Sequence, residues 1–177
     1  MRERMTAQPN DRVMTVAQAG DVPLHVVLVE PQIPPNTGNV ARLCAATGCA
    51  LHLVEPLGFD IDDRALKRAG LDYWESVQVI VHPSFDAFLA AFPAPRCWWI
   101  ETNGVRPYTS APFARGDALV FGPETGTLPQ RVLGAHPERS LRIPMRAAGA
   151  VRSLNLSTAA GIVTYAALAA LGFPELT

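Results

Sequence analysis

The sequence predicts an α/β fold with a mostly parallel sheet flanked by helices. Three observations carry that expectation. Leu24-His25-Val26-Val27-Leu28-Val29 and Leu51-His52-Leu53-Val54 are near-continuous apolar runs of strand length, the pattern of strands covered on both faces. Between them Val40, Leu43, Cys44 and Thr47 recur at helical spacing, so the segment reads as strand, helix, strand. The same alternation then continues to the end of the chain.

Taken in order, the first strand ends at Val29-Glu30-Pro31 and the second at Val54-Glu55-Pro56. The helix between them stops at Gly48, the usual residue beyond a helix C-terminus. Asn36 or Thr37 can cap its start. Asp62 to Ala69 reads as a helix closed by Gly70, and Val77 to Val81 as a strand. Ser84 caps a helix running to Ala91. Cys97 to Glu101 and Ala118 to Phe121 are strands. Leu128 to Leu133 is a short helix and Leu141 to Ile143 a short strand. Leu156 to Leu171 is the last and longest helix.

The bulk numbers bound the function. A chain of 177 residues with 49% hydrophobic and 18% charged content supports one well-packed domain. Residues 22–177 are read as that domain. Residues 1–21 are read as a disordered extension, or as an upstream start with Met14 as an alternative initiator. The extension has no apolar stretch of the kind a secretory signal needs. Ala159 to Phe173 is strongly apolar but shorter than the roughly 20 residues of a membrane span. A net charge of −1 gives no global attraction to nucleic acid, so any RNA contact needs a local basic patch or a dimer groove. Cys44, Cys49 and Cys97 form no CxxC pair and read as reduced, buried thiols of a cytoplasmic protein. The spacing of Cys and His suggests no metal site, and His25, His52, His82 and His136 have no sequence partners.

Three turns carry the candidate chemistry, each at the end of an apolar run, where open α/β sheets bind ligands. The first is Asn36-Thr37-Gly38-Asn39-Val40-Ala41-Arg42. Its helix N-terminus is a ready anion site, and Arg42 projects off the apolar stripe. The second is Phe121-Gly122-Pro123-Glu124-Thr125-Gly126, where Gly122 allows close ligand approach. Glu124 can bind a hydroxyl, an amine or a helix N-terminus, or simply cap the helix near Leu128. The third is Ile143-Pro144-Met145, an apolar wall suited to an aromatic ring, followed by Arg152-Ser153-Leu154-Asn155-Leu156-Ser157. Other site types lack their patterns: no GxGxxG follows the first strand, and there is no GxxxxGK[ST] and no GxSxG.

Together these segments resemble the SPOUT class of S-adenosylmethionine-dependent RNA methyltransferases, in particular the small 2′-O-ribose methyltransferases of the TrmH/TrmL type. Glu30-Pro31-x-Ile33-Pro34-x-Asn36-x-Gly38-Asn39-x-x-Arg42, Phe121-Gly122-Pro123-Glu124 and Ile143-Pro144-Met145 with Arg152 to Ser157 are similar to the three motifs of that class. Arg68-Ala69-Gly70-Leu71-Asp72-Tyr73 is similar to a stretch of the TrmL branch. The likeness spans about residues 24–174.

The resemblance implies a C-terminal trefoil knot, a homodimer with the site completed across its interface, and a tRNA substrate. It implies methyl transfer from S-adenosylmethionine, without a metal, to the ribose 2′-hydroxyl of the wobble nucleotide of leucine tRNAs, a cytidine or modified uridine. By position, the catalytic and RNA-facing group is Asn36, Arg42, Glu124, Ser153 and Asn155, and the cofactor contacts are Ile100, Gly122, Ile143 and Ser153. A basic groove would gather Arg42, Arg64, Lys67, Arg68, Arg146 and Arg152. Two features depart from the TrmL pattern. Gly126-Thr127 stands where an arginine and a glycine usually follow, and the stretch from Arg146 to Val151 is longer. The alternatives are methylation of another tRNA position or of rRNA, and a non-catalytic RNA-binding factor with the same fold.

Overall fold

The computed structural model describes residues 21–61, 76–92, 96–147 and 149–177. The helix expected over Asp62 to Ala69 and the Arg68 to Tyr73 stretch therefore lie outside the described residues, as do residues 1–20. Among the described residues the sheet has seven strands: β1 (Leu24–Val29), β2 (Ala50–Val54), β3 (Val79–His82), β4 (Cys97–Ile100), β5 (Arg106–Pro107), β6 (Asp117–Phe121) and β7 (Ser140–Arg142). Their order is β3-β2-β1-β6-β4-β7-β5, and every pairing is parallel. Four helices are described: α1 (Pro34–Thr47), α2 (Phe85–Ala91), α3 (Gln130–Ala135) and α4 (Leu156–Ala170).

Strand side chains alternate between two cores, as the pleat requires. Leu24, Val26, Leu28, Leu51, Leu53, Leu119 and Phe121 meet Val40 and Cys44 of α1 and Ala160, Val163 and Leu168 of α4. Val27, Val29, Val54, Trp99 and Val120 meet Phe85 and Phe88 of α2 and Val132 of α3. Every residue of β1, β2, β4 and β6 is buried. This is why these strands read as apolar runs instead of alternating ones.

Local signals end the helices where expected. Gly48 lies beyond α1 at φ 70, a conformation that disfavours a side chain. Ser84 accepts a hydrogen bond from Ala87 N at 3.1 Å and starts α2. The start of α1 differs from expectation. Pro34 and Pro35 fill its first turn, positions that suit proline, so Asn36 and Thr37 lie inside the helix and cap nothing. The short helix begins at Gln130, because Pro129 precedes it in extended backbone. β5 carries no apolar run, and the sequence predicts no strand there. Its neighbour Gly104 lies so close to β7 that an added Cβ would sit 2.2 Å from the Leu141 carbonyl carbon.

Cys44, Cys49 and Cys97 are buried and unbridged, and burial raises all three thiols, Cys97 to about 12. Among the described residues, no helix is long and apolar enough to cross a membrane. Nor do three His, Cys, Asp or Glu side chains converge there to hold a metal ion.

His25, His52 and His82, which have no partners in the sequence pattern, find them in space. They sit on β1, β2 and β3, with His25 Nδ1 2.8 Å from His52 Nε2 and His52 Nδ1 2.9 Å from His82 Nε2. Phe88 and Phe92 pack edge-on against the line. Burial lowers each imidazole's pKa, with Arg96 adding to the effect on His25, which falls to about 4.

Candidate active site

At the carboxyl end of the sheet, β1 leaves through Glu30, held at φ 48, a left-handed backbone that costs an ordinary residue free energy. The Glu30 N–H donates to the Val54 carbonyl at 2.8 Å, which anchors the bend. The chain then turns so that two N–H groups ahead of α1 point at Glu124 on the loop after β6. Gln32 N donates to Glu124 Oε2 at 2.8 Å, and Ile33 N to Oε1 at 3.1 Å. The anion at this helix N-terminus is thus the chain's own carboxylate. The opposite expectation, that Glu124 caps the helix near Leu128, is replaced: the Leu128 N–H donates to Glu101 at 2.7 Å.

The same Glu124 gathers the other two segments. Asn36 Nδ2 donates to Glu124 Oε1 at 3.0 Å, and Asn155 Nδ2 donates to Asn36 Oδ1 at 2.9 Å. Asn155 Oδ1 in turn accepts from Ser157 N at 2.9 Å, from the Ser157 hydroxyl at 2.8 Å and from Thr158 N at 3.4 Å, capping α4. One hydrogen-bonded line therefore joins groups 88 and 119 residues apart.

This line borders a cavity of about 350 Å3 whose walls include Asn36, Ile100, Glu101, Gly122, Glu124, Ser153 and Asn155. A smaller hollow of about 80 Å3 adjoins it between Ile100, Ile143, Met145 and Ser153. Seven of the eight expected site residues thus meet here: Asn36, Glu124 and Asn155 through hydrogen bonds, Ile100, Gly122 and Ser153 in the main wall, Ile143 in the extension. Arg42 does not. It is exposed on α1 and absent from the cavity wall. Arg146 and Arg152 line a third hollow of about 720 Å3 with Arg142, whose Nη1 donates to the Gly104 and Val105 carbonyls at 2.8 Å each. Arg64, Lys67 and Arg68 lie outside the described residues.

Glu101 is the residue that the motifs missed. It follows the apolar strand Cys97–Ile100 and lines both the main cavity and its extension. Burial raises its carboxyl, and the Leu128 N–H opposes the rise. Its available signal was a charge closing an otherwise apolar strand. The apolar faces of Ile100, Ile143 and Met145 suit a flat ring, while the line through Glu124 fixes polar groups beside it.

A parallel sheet with its polar groups collected at the carboxyl ends defines a ligand-binding α/β domain, and its sequence places it in a family. Residues 23–165 match the SpoU rRNA Methylase family, and the chain belongs to it. The chain is 49% identical over 150 residues to the tRNA (cytidine(34)-2′-O)-methyltransferase of Saccharophagus degradans, covering 84% of this chain and 96% of that one. It is similar to a solved structure described by the words "Structural insights into the 2-OH methylation of C/U34 on tRNA" (TM-score 0.79, 48% identity, 86% of this chain and 99% of that one). It shares its fold with a SpoU methyltransferase from Streptomyces viridochromogenes in complex with the cofactor AdoMet (TM-score 0.71, 24% identity, 84% of this chain and 60% of that one).

Proposed function

We propose that this chain methylates the ribose 2′-hydroxyl of the wobble nucleotide of tRNA, with S-adenosylmethionine as donor, and that leucine tRNAs are its substrates. The observation that carries the reading is the line Glu124–Asn36–Asn155, three motifs joined beside one cavity. The wall fits the cofactor. Ile100, Ile143 and Met145 offer an apolar slot for adenine, and Gly122 lines the wall of the main cavity, where an added Cβ would sit 3.3 Å from Leu128 N. Glu101 supplies negative charge. When bound, the cofactor brings an electrophilic methyl group on a sulfonium.

The protein's share is alignment, which can supply much of the rate of a two-reactant transfer. Glu124 and Asn36 fix the start of α1, and Asn155 fixes α4, so the ribose and donor meet on rigid elements. Arg42, whose planar guanidinium suits phosphate, serves as a phosphate and ribose positioner. Its place outside the cavity wall supports a homodimer in which a second copy's α1 completes the site. α4 favours the same arrangement: it carries no charged side chain, and Tyr165 is 47% exposed on it. The basic groove would then combine Arg42 with Arg146 and Arg152.

A trefoil knot is supported by the strand order. From β4 the chain crosses β7's place to form β5, then returns past β4 to form β6. β7 then pairs between β4 and β5, two strands consecutive in the chain, before the chain runs on to α4.

The test is methyl transfer from labelled S-adenosylmethionine to tRNA from a strain lacking this protein, with the product mapped by mass spectrometry. A 2′-O-methyl at the wobble position of leucine tRNAs is expected, and its absence there sinks the reading. Arg42→Ala is expected to lower transfer by about 100-fold or more, and a variant at full rate would remove Arg42 from the site.

A further inference from the structure

The charge around the cavity is one-sided. The charged side chains on the 350 Å3 cavity are Glu101 and Glu124, and among the described residues no lysine, arginine or histidine lines it. The 80 Å3 extension repeats the pattern with Glu101 alone. The arginines of this region line a different hollow.

The two carboxylates differ in how they are satisfied. Glu124 accepts from two backbone N–H groups and an amide. Glu101 accepts from Leu128 N through one oxygen, and no other described residue donates to its carboxylate. Among the described residues no cation offsets its burial. A half-buried carboxylate without a cationic partner carries a desolvation cost, and such a group in a cleft marks a functional position.

We propose that Glu101 reads the positive charge of the sulfonium donor, so that the cavity favours S-adenosylmethionine over S-adenosylhomocysteine. The proposal rests on the methyl-transfer reading above. In that reaction a carbon–oxygen bond forms at the ribose, the carbon–sulfur bond breaks with its electron pair left on sulfur, and the hydroxyl proton leaves to solvent. The sulfonium becomes a neutral thioether, so the attraction to Glu101 ends with the chemical step and the product leaves more readily. Glu101→Gln isolates the charge, because glutamine keeps an acceptor for Leu128 N. Glu101→Asp keeps the charge.

The experiment is calorimetric titration of the full chain and both variants with three probes. These are S-adenosylmethionine, S-adenosylhomocysteine and sinefungin, which carries an ammonium-bearing carbon in place of the methylated sulfur. Glu101→Gln should weaken both cationic probes by on the order of tenfold and leave S-adenosylhomocysteine within about twofold. Glu101→Asp should keep the wild-type preference. Equal loss for all three probes would make Glu101 a hydroxyl acceptor or a loop anchor and overturn the proposal, as would no loss. In the wild type, rising salt should narrow the preference for the charged probes by screening, a check that needs no variant, and an unchanged ratio counts against the charge reading. A wild-type chain that binds none of the three overturns the cofactor reading and the proposal with it. Binding of all three with an unmoved ratio sinks Glu101 alone.

Discussion

Two of the lines of hydrogen-bonded side chains among the described residues differ in charge and in access to water. Glu124–Asn36–Asn155 lies at the carboxyl ends of the strands, anchored by a carboxylate and open to the cavity. His25–His52–His82 crosses β1, β2 and β3, at most 9% exposed, with every imidazole held toward its neutral form. A neutral imidazole is both donor and acceptor, so three can satisfy one another without an ion in the core. A carboxylate cannot, and Glu124 is satisfied instead by two backbone N–H groups and an amide that converge on it. The first line places groups for a ligand, and the second satisfies polarity that the fold has buried. Each can be broken separately.

The largest effect is expected at Glu124. Glu124→Ala leaves Gln32 N, Ile33 N and Asn36 Nδ2 without their acceptor. Losing this half-buried anchor should cost about 2 kcal/mol of stability, as for a charged acceptor or cap. Methyl transfer should drop by about 100-fold or more, because misplacing the start of α1 misplaces the site. Denaturant unfolding and the transfer assay on one preparation check both. A variant that loses stability but keeps full transfer would reduce this line to a structural clasp.

Acid should act on the other line. The folded pKa values of all three histidines lie below the ordinary value of 6.5. The unfolded chain therefore binds more protons than the folded one as pH falls below 6.5. The stability contribution is complete above that pH and is lost on acidification, down to about 4 for His25. One unit below the unfolded value, each histidine that stays neutral costs roughly 1.4 kcal/mol. His52→Leu should flatten this slope while costing about 2–3 kcal/mol at neutral pH, since it strands ring nitrogens of His25 and His82. Transfer at neutral pH should be unchanged. Urea midpoints measured from neutral to mildly acidic pH decide it; parallel slopes for wild type and variant would refute the assignment.

The two lines were unequally legible in the sequence. Asn36, Glu124 and Asn155 stand in motifs at strand ends, where apolar runs stop and polar groups cluster, so local pattern located them. Their bonding was not legible, because it spans 88 and 119 residues and depends on β6 inserting beside β1. The histidines show the reverse: each sits in an apolar run whose period reveals its face but not its neighbour across the sheet. β5 escaped because two residues form no pattern. Asn36 and Thr37 are cap residues by type, but the prolines ahead of them start the helix earlier. Glu101 escaped because a single charge after a strand is ordinary until the cavity around it is seen.

Thr37 separates motif membership from function most finely. It lies between Asn36 and Gly38 in the first motif, yet it is fully buried and its hydroxyl has no hydrogen-bond partner among the described residues. Asn36, its neighbour, turns toward Glu124 instead. A hydroxyl with no partner contributes a desolvation cost and nothing in return, so Thr37→Val, close to isosteric, should leave stability unchanged or raise it by up to about 1 kcal/mol. Transfer should stay within about twofold, because a side chain with no exposure cannot touch RNA or cofactor. Unfolding midpoints and steady-state transfer rates measure both. A loss of transfer with stability intact would mean that the first turn of α1 opens during turnover and that the hydroxyl then meets the substrate. That result would move Thr37 into the first line and make the start of α1 a moving part rather than a fixed one.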